Sequence, residues 1–292
     1  MYYVNGQYVK AEDAKISILD LAVLRGLGVF DYLRTYQGRP FHLWDHLLRL
    51  KYSAEQIGLT LPNSLTEIQE IVYQVLALNH FPEASIKLLV TGGISTDQFT
   101  PQSQKNLIVF AYPLSSFSEH FFTNGIKVIT TRFHRSFPAS KTTHYAPAIV
   151  AMQRGKTENA QEVLYLNAQH KILEASTSNF FAFKNGILYT CASEEVLFGI
   201  TREVILKLSS PHFAIKEQAL CYEEIAEMEE AFITSSNREV MAVVQIDALK
   251  IGNGSVGPKT KKIAELFRIY IENAKWPALN IPRYTPKYTQ IN

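Results

Sequence analysis

Apolar residues recur along the chain in two rhythms, one near two residues and one near four. Tyr2-Tyr3-Val4 and Gln7-Tyr8-Val9 flank Asn5-Gly6, a pair that supplies the positive φ angles of a two-residue turn, so a tight hairpin is predicted. Residues 28–36, with Val29, Phe30, Tyr32 and Leu33, are rich in β-forming side chains and read as a strand. Over 45–57 the spacing lengthens to Leu47, Leu50, Ala54 and Ile57, a helical stripe with Asp45 placed to cap it. Ser64-Leu65-Thr66-Glu67 forms a capping box, and Ile68, Val72 and Val75 carry the stripe of a second helix. Two more strands, over 86–91 and 107–112, complete an antiparallel sheet with two helices, assigned to a first domain over 1–113.

The pattern then breaks into Pro113, Ser115, Ser116 and Ser118, which marks a linker over 114–120. Beyond it, strands are predicted at 126–131, 162–167, 180–183, 187–190 and 231–234, and another Asn-Gly turn, Asn185-Gly186, joins two of them. Helices begin near Pro147, Thr201 and Pro258, and the last carries Ile263, Leu266, Phe267, Tyr270 and Ile271 on one side. A second domain therefore spans 121–275. Pro277, Pro282 and Pro286 make the tail over 276–292 irregular.

Composition narrows the field. At 292 residues, 47% hydrophobic and 19% charged, the chain is an ordinary globular protein with length enough for two cores. A net charge of +2 gives no electrostatic case for nucleic acid or an anionic membrane as partner. Cys191 and Cys221 stand in unrelated contexts without metal-ligand spacing, so neither a disulfide framework nor a metal site is expected. No apolar stretch approaches a membrane span and the first residues lack a signal-peptide pattern, so a cytoplasmic enzyme is the expectation.

Singly, each polar cluster has an ordinary reading. Lys141, in Ser140-Lys141-Thr142-Thr143-His144-Tyr145, lies between a strand and a helix, where most lysines are solvated. Glu174 closes the apolar strand Ile172-Leu173-Glu174 and feeds the polar turn Ala175-Ser176-Thr177-Ser178-Asn179. Gly199-Ile200-Thr201-Arg202-Glu203 opens a helix, whose free amides and positive dipole end also suit a phosphate. Thr234-Ser235-Ser236-Asn237 reads as a turn after a strand.

In combination they are far more specific. Arg49, Lys141, Glu174, Gly199-Ile200-Thr201 and Ser235-Ser236-Asn237, in this order, resemble the signature of the class-IV aminotransferases, the fold-type IV pyridoxal-phosphate family. That family includes branched-chain aminotransferases, D-amino acid transaminases and aminodeoxychorismate lyase. The resemblance runs from Val4-Asn5-Gly6 through Gly28-Val29-Phe30-Asp31 and His46-Leu47-Leu48-Arg49-Leu50 to Val244-Gln245-Ile246-Asp247. It implies an α/β (α+β) fold of two domains with pyridoxal 5'-phosphate in the cleft between them, and a homodimer. Lys141 would carry the cofactor as a Schiff base and move the substrate proton, which demands a lysine able to exist neutral. Glu174 would keep the pyridine nitrogen protonated, with Asn179 supporting its turn. Arg49, Ile200, Thr201, Ser235 and Ser236 would hold the phosphate, and Tyr145 would stand near the phenolic oxygen.

The substrates implied are an amino acid, of branched-chain or D type, and a 2-oxo acid. Here the chain departs from the family. Thr91-Gly92-Gly93 lacks the arginine that D-amino acid transaminases and the lyase carry at the position of Gly92. Arg25, in Leu24-Arg25-Gly26-Leu27-Gly28, becomes the candidate for the substrate carboxylate, because a planar guanidinium fork matches one. Phe30 and Asn237 join it as candidate substrate-binding residues, and Lys87 and Arg135 are weaker candidates for the carboxylate. Transamination is the leading expectation. Elimination of the lyase type, using the same Lys141, is the alternative, and the missing arginine counts against it.

Overall fold

Asn5 at φ 48° and Gly6 at φ 91° form the turn that joins β1 (Tyr2–Val4) to β2 (Gln7–Val9). There follow α1 (Leu21–Arg25), β3 (Gly28–Tyr36), β4 (Arg39–Pro40), α2 (Leu43–Gln56), α3 (Leu65–Asn79), β5 (Ala84–Thr91) and β6 (Asn106–Pro113). The computed structural model describes residues 1–102, 104–192, 194–273, 275–281, 283 and 284. By their contacts they fall into two units.

In the first unit the strands form a sheet in the order β2-β1-β6-β5-β3-β4, every pairing antiparallel. Alternation along β3 turns Val29, Asp31 and Leu33 into the core while Phe30 and Tyr32 stay half-buried on the other face. Val29 and Leu33 pack with Ile86, Leu88 and Val90 of β5 against Leu47, Leu50 and Ala54 of α2 and Ile68, Val72 and Val75 of α3. The capping box of α3 is complete: the Glu67 amide donates to Ser64 Oγ at 3.2 Å, and the Ser64 amide donates to Glu67 Oε2 at 2.7 Å. Ser64→Ala is expected to cost about 1 kcal/mol in urea unfolding, with an unchanged m value.

The second unit holds α4 (Glu119–Asn124), β7 (Ile126–Arg132), α5 (Ala146–Thr157), β8 (Glu162–Leu166), β9 (Ile172–Ala175), β10 (Asn179–Lys184), β11 (Ile187–Thr190), α6 (Ile200–Ser209), β12 (Ile215–Lys216), β13 (Glu230–Ser235), β14 (Glu239–Ile246), β15 (Leu249–Lys250) and α7 (Pro258–Glu272). Its sheet runs β12-β11-β10-β13-β14-β7-β8-β9, with β15 on β14. β9 also pairs with β10 through Glu174 and Asn179, so β10, β13, β14, β7, β8 and β9 close a circuit. Closure removes the free edges that strands in an open sheet expose.

Three features depart from the pattern reading. Asp45 does not cap α2. The helix begins at Leu43 from His42, which takes the left-handed conformation, and Asp45 lies in its first turn, bonded to His42 Nδ1 at 2.9 Å and to the Leu279 amide at 3.1 Å. Residues 140–144, expected in the second domain, belong by their contacts to the first unit, because their main chain is hydrogen-bonded to β3. The segment from Lys275 also joins the first unit, where Trp276 meets Phe41 and Tyr284 meets Tyr52. It carries no helix or strand among its described residues, and Pro282 and Pro286 lie outside them.

Candidate active site

In the first unit the site is built on β3 and α2. The early half of β3 has β5 on one side, and β4 pairs only with Thr35 and Tyr36 at its far end. The vacant side near Gly28 receives residues 141–143. The Phe30 amide donates to the Lys141 carbonyl at 2.9 Å, the Thr143 amide donates to the Gly28 carbonyl at 2.9 Å, and Val29 bridges Thr142. From α2, Ser53 Oγ accepts from the Lys141 amide at 3.0 Å. The half-buried Lys141 is thus fastened through its main chain. Its Nζ stands 4.7 Å from the centre of the Phe30 ring, and Lys87 Nζ stands 4.8 Å from the same centre.

Arg49 lies on α2 one turn before Ser53 and is buried. Its Nε and Nη2 donate to Asp31 Oδ2 and Oδ1 at 2.9 and 2.7 Å, a bidentate pair. His46 Nδ1 lies 2.7 Å from the same carboxylate. Burial alone would raise the Asp31 carboxyl, but Arg49 and His46 beside it hold it well below the usual carboxylate range. Burial pushes His46 down, against the pull of Asp31, so the ring is neutral at pH 7. Neither Asp31 nor His46 was assigned a role from sequence. The readable signal was a carboxylate on the buried face of β3 and a His-x-x-Arg spacing that sets both side chains on one helix face.

Arg25 ends α1 and is exposed, and its Nη1 donates to the Leu24 carbonyl at 3.0 Å. Thr143 Oγ1 donates to the Gly26 carbonyl at 3.0 Å, which ties the Arg25 loop to the residue two places after Lys141. Asp20 caps α1 from the other end by accepting from the Ala22 amide at 2.7 Å.

In the second unit the candidates gather where β9, β10 and β13 lie side by side. Glu174, Asn179 and Thr234 occupy one row across these strands. Glu174 is 5% exposed. Its Oε1 accepts from Arg135 Nη2 at 2.6 Å and its Oε2 from the Leu197 amide at 3.1 Å. Asn179 Nδ2 donates to the Leu197 carbonyl at 2.6 Å and more weakly to Glu174 Oε2 at 3.4 Å. Both residues therefore fix the loop that opens α6. Gly199 is its N-cap, supplies no side-chain cap, and has no room for a Cβ, which would collide with Asn179 Oδ1. Ile200 and Thr201 begin the helix and are buried. Arg202, also buried, donates to Glu217 Oε2 at 2.7 Å and to the Cys191 carbonyl at 3.1 Å, which pins this first turn.

Ser235 ends β13 and donates from Oγ to Asn237 Oδ1 at 3.0 Å, with Ser236 between them in the turn to β14. Tyr145 is the N-cap residue of α5 and accepts the Ile149 amide at 2.9 Å through its carbonyl. Arg135, a weaker candidate for the substrate carboxylate, directs its guanidinium to Glu174, a pairing that sequence separation had hidden. Among the described residues no cluster of His, Cys, Asp or Glu is set to hold a metal, and no helix is long and apolar enough to cross a membrane.

Comparison with known proteins assigns this architecture. The amino-transferase class IV family matches residues 28–246, and the chain belongs to that family. It is an enzyme of the aminotransferase type, acting on amino acids and 2-oxo acids, with the fold-type IV architecture. A Methanocaldococcus jannaschii protein, provisionally named a branched-chain-amino-acid aminotransferase, is 31% identical over 91% of this chain and 94% of its own. The D-alanine aminotransferase of Staphylococcus haemolyticus is 29% identical over 93% of this chain and 98% of its own. The crystal structure of the branched-chain amino acid aminotransferase of Escherichia coli superposes with a TM-score of 0.87 at 27% identity, covering 94% of this chain and 96% of that one.

Proposed function

We propose that this aminotransferase carries pyridoxal 5'-phosphate on Lys141 and exchanges the amino group of a branched-chain or D-amino acid with a 2-oxo acid, as a cytoplasmic homodimer. The observation that carries the reading is the fastening of Lys141: its own carbonyl and amide are hydrogen-bonded to β3 and α2, and Thr143 adds a third main-chain bond to Gly28. Class-IV aminotransferases are pyridoxal-phosphate enzymes, and the residues fit that group. Asn179 Oδ1 closes the space over Gly199, α6 opens without a side-chain cap, and Thr234 Oγ1 is buried with no hydrogen-bond partner among the described residues. Bound there, the cofactor supplies an electron sink for the pair left when the substrate Cα loses its proton.

The chain's own groups do the rest. Lys141 Nζ takes that proton and returns it, so it must be able to lose its own charge. Glu174, with Arg135 at one oxygen and an amide at the other, is kept ionised and can hold a proton on a ring nitrogen. Arg49, Ile200, Thr201, Ser235 and Ser236 are assigned the phosphate, Arg49 with its guanidinium already oriented by Asp31. Tyr145 is assigned the phenolic oxygen. Arg25, Phe30 and Asn237 are assigned the substrate, and the bond from Thr143 to Gly26 supports Arg25 as the carboxylate anchor. Exposed apolar side chains on and just before α1, Ile18, Leu19 and Val23, support a covering second subunit.

The test is borohydride fixation of the cofactor-loaded protein followed by peptide mapping, with a screen of both enantiomers of each donor. The label is expected on Lys141. One enantiomeric series should bleach the cofactor absorbance, and a 2-oxo acid should restore it. A label on another residue, or no bleaching by any donor, would overturn the assignment.

A further inference from the structure

The guanidinium of Arg135 makes two bonds from one nitrogen. Nη2 donates to Glu174 Oε1 at 2.6 Å and also to the carbonyl of Pro138. The side chain is 18% exposed and that of Glu174 is 7% exposed, so the pair is largely withdrawn from water. A carboxylate this buried would drift toward its neutral form without a cation, and a neutral Glu174 could no longer hold a proton on a ring nitrogen. Pro138 lies three residues before Lys141 in the chain. One nitrogen therefore joins the carboxylate to the segment that leads to the lysine.

We propose that Arg135 is the positioning residue of this site: it holds Glu174 ionised and oriented and sets the path of the segment preceding Lys141. The proposal rests on the roles given above to Lys141 and Glu174. The surroundings support an electrostatic task. Tyr165, on the neighbouring β8, feels Arg135 together with Glu162, Glu174 and Tyr145; burial raises its phenol, so it stays neutral beside the Arg135–Glu174 pair. Glu162 has a cation of its own in Arg238, at 3.0 Å. The other Glu174 oxygen accepts from the Leu197 amide and, more weakly, from Asn179.

The test compares Arg135→Met, Arg135→Lys and Glu174→Gln, alone and combined, by cofactor affinity from fluorescence titration and by steady-state kinetics. Arg135→Met is expected to weaken cofactor binding and lower kcat, each by roughly tenfold or more, with the donor KM within about twofold of wild type. Arg135→Lys should recover most of both losses, because it keeps the charge. On the Glu174→Gln background, Arg135→Met should add less than about twofold, the mark of residues acting through one another. Should Arg135→Met fail to fold, Arg135→Gln enters the same cycle.

Wild-type affinity and kcat in Arg135→Met would overturn the proposal. So would a raised KM at constant kcat, which would make Arg135 a substrate anchor, or full additivity with Glu174→Gln. Borohydride mapping of wild type separates the two levels of failure. Without a label on Lys141 the reading of the site fails, whereas a label there with an unaffected Arg135→Met removes only the role of Arg135.

Discussion

Lys141→Ala is expected to fold normally and to lose at least about 10³-fold in kcat, the upper part of what a positioned acid–base group supplies. The separation of fold from function follows from how the residue is held. The contacts that fasten this position are made by the main chain: the carbonyl to the Phe30 amide and the amide to Ser53 Oγ. Alanine preserves both. Among what disappears is the ammonium over Phe30, worth about 0.5–1 kcal/mol at a partly exposed site. Circular dichroism and urea unfolding should therefore match wild type to within about 1 kcal/mol. The reaction, by contrast, loses both the covalent attachment and the group that moves the proton. Lys141→Arg should be equally inactive, since a guanidinium cannot be deprotonated to act as a base. Retention of a kcat within about tenfold of wild type in either variant would show that another residue moves the proton.

The parts of this site that could be read from sequence are those fixed by local chemistry. Asn5-Gly6 announces its turn because few other pairs accept those φ angles, and Ser64 with Glu67 announces a helix start because the reciprocal bonds span only three residues. Gly199 followed by Ile200 and Thr201 is a helix entry legible in the same way. What remained hidden depends on chain segments far apart. Asp31 reads as a stray polar residue in an apolar strand until Arg49, eighteen positions away, is folded onto it. Arg135 reads as a loop arginine until Glu174, thirty-nine positions away, lies beside it. Asp45 shows the same limit from the other side. Its sequence position suits a cap, but His42 and the distant Leu279 amide claim the carboxylate. β14 escaped for another reason: its apolar run, Val240 to Val243, lacks the alternation that distinguishes a strand from a buried helix.

The largest effect on stability is expected from Asp31→Asn, about 3–5 kcal/mol in the cofactor-free protein, the cost of breaking one partner from a buried ion pair. The substitution is nearly isosteric, so no cavity contributes. Its cost lies in the Arg49 guanidinium, whose side chain is 4% exposed and loses its bidentate acceptor. The pH dependence identifies the charge as the source. Asp31 is held below its ordinary range in the fold, so its contribution is complete above the unfolded carboxyl value of about 4 and is lost as pH falls below it. His46 adds a term of the same sign. Its folded value is also depressed, so wild type loses stability on acidification below the unfolded imidazole value of about 6.5. In Asp31→Asn the Asp31 term vanishes, and His46, deprived of the carboxylate that attracts its proton, is depressed further. The gap between wild type and variant in urea unfolding should therefore widen as pH falls through the imidazole range, where the variant's His46 loses more, and narrow below about 4 as Asp31 takes up its proton. A gap constant from neutral to acid pH would locate the loss in packing and not in the Asp31–Arg49 charge pair. Because Arg49 is assigned the phosphate, the same variant should also bind the cofactor more weakly, and added cofactor should restore only part of the lost stability.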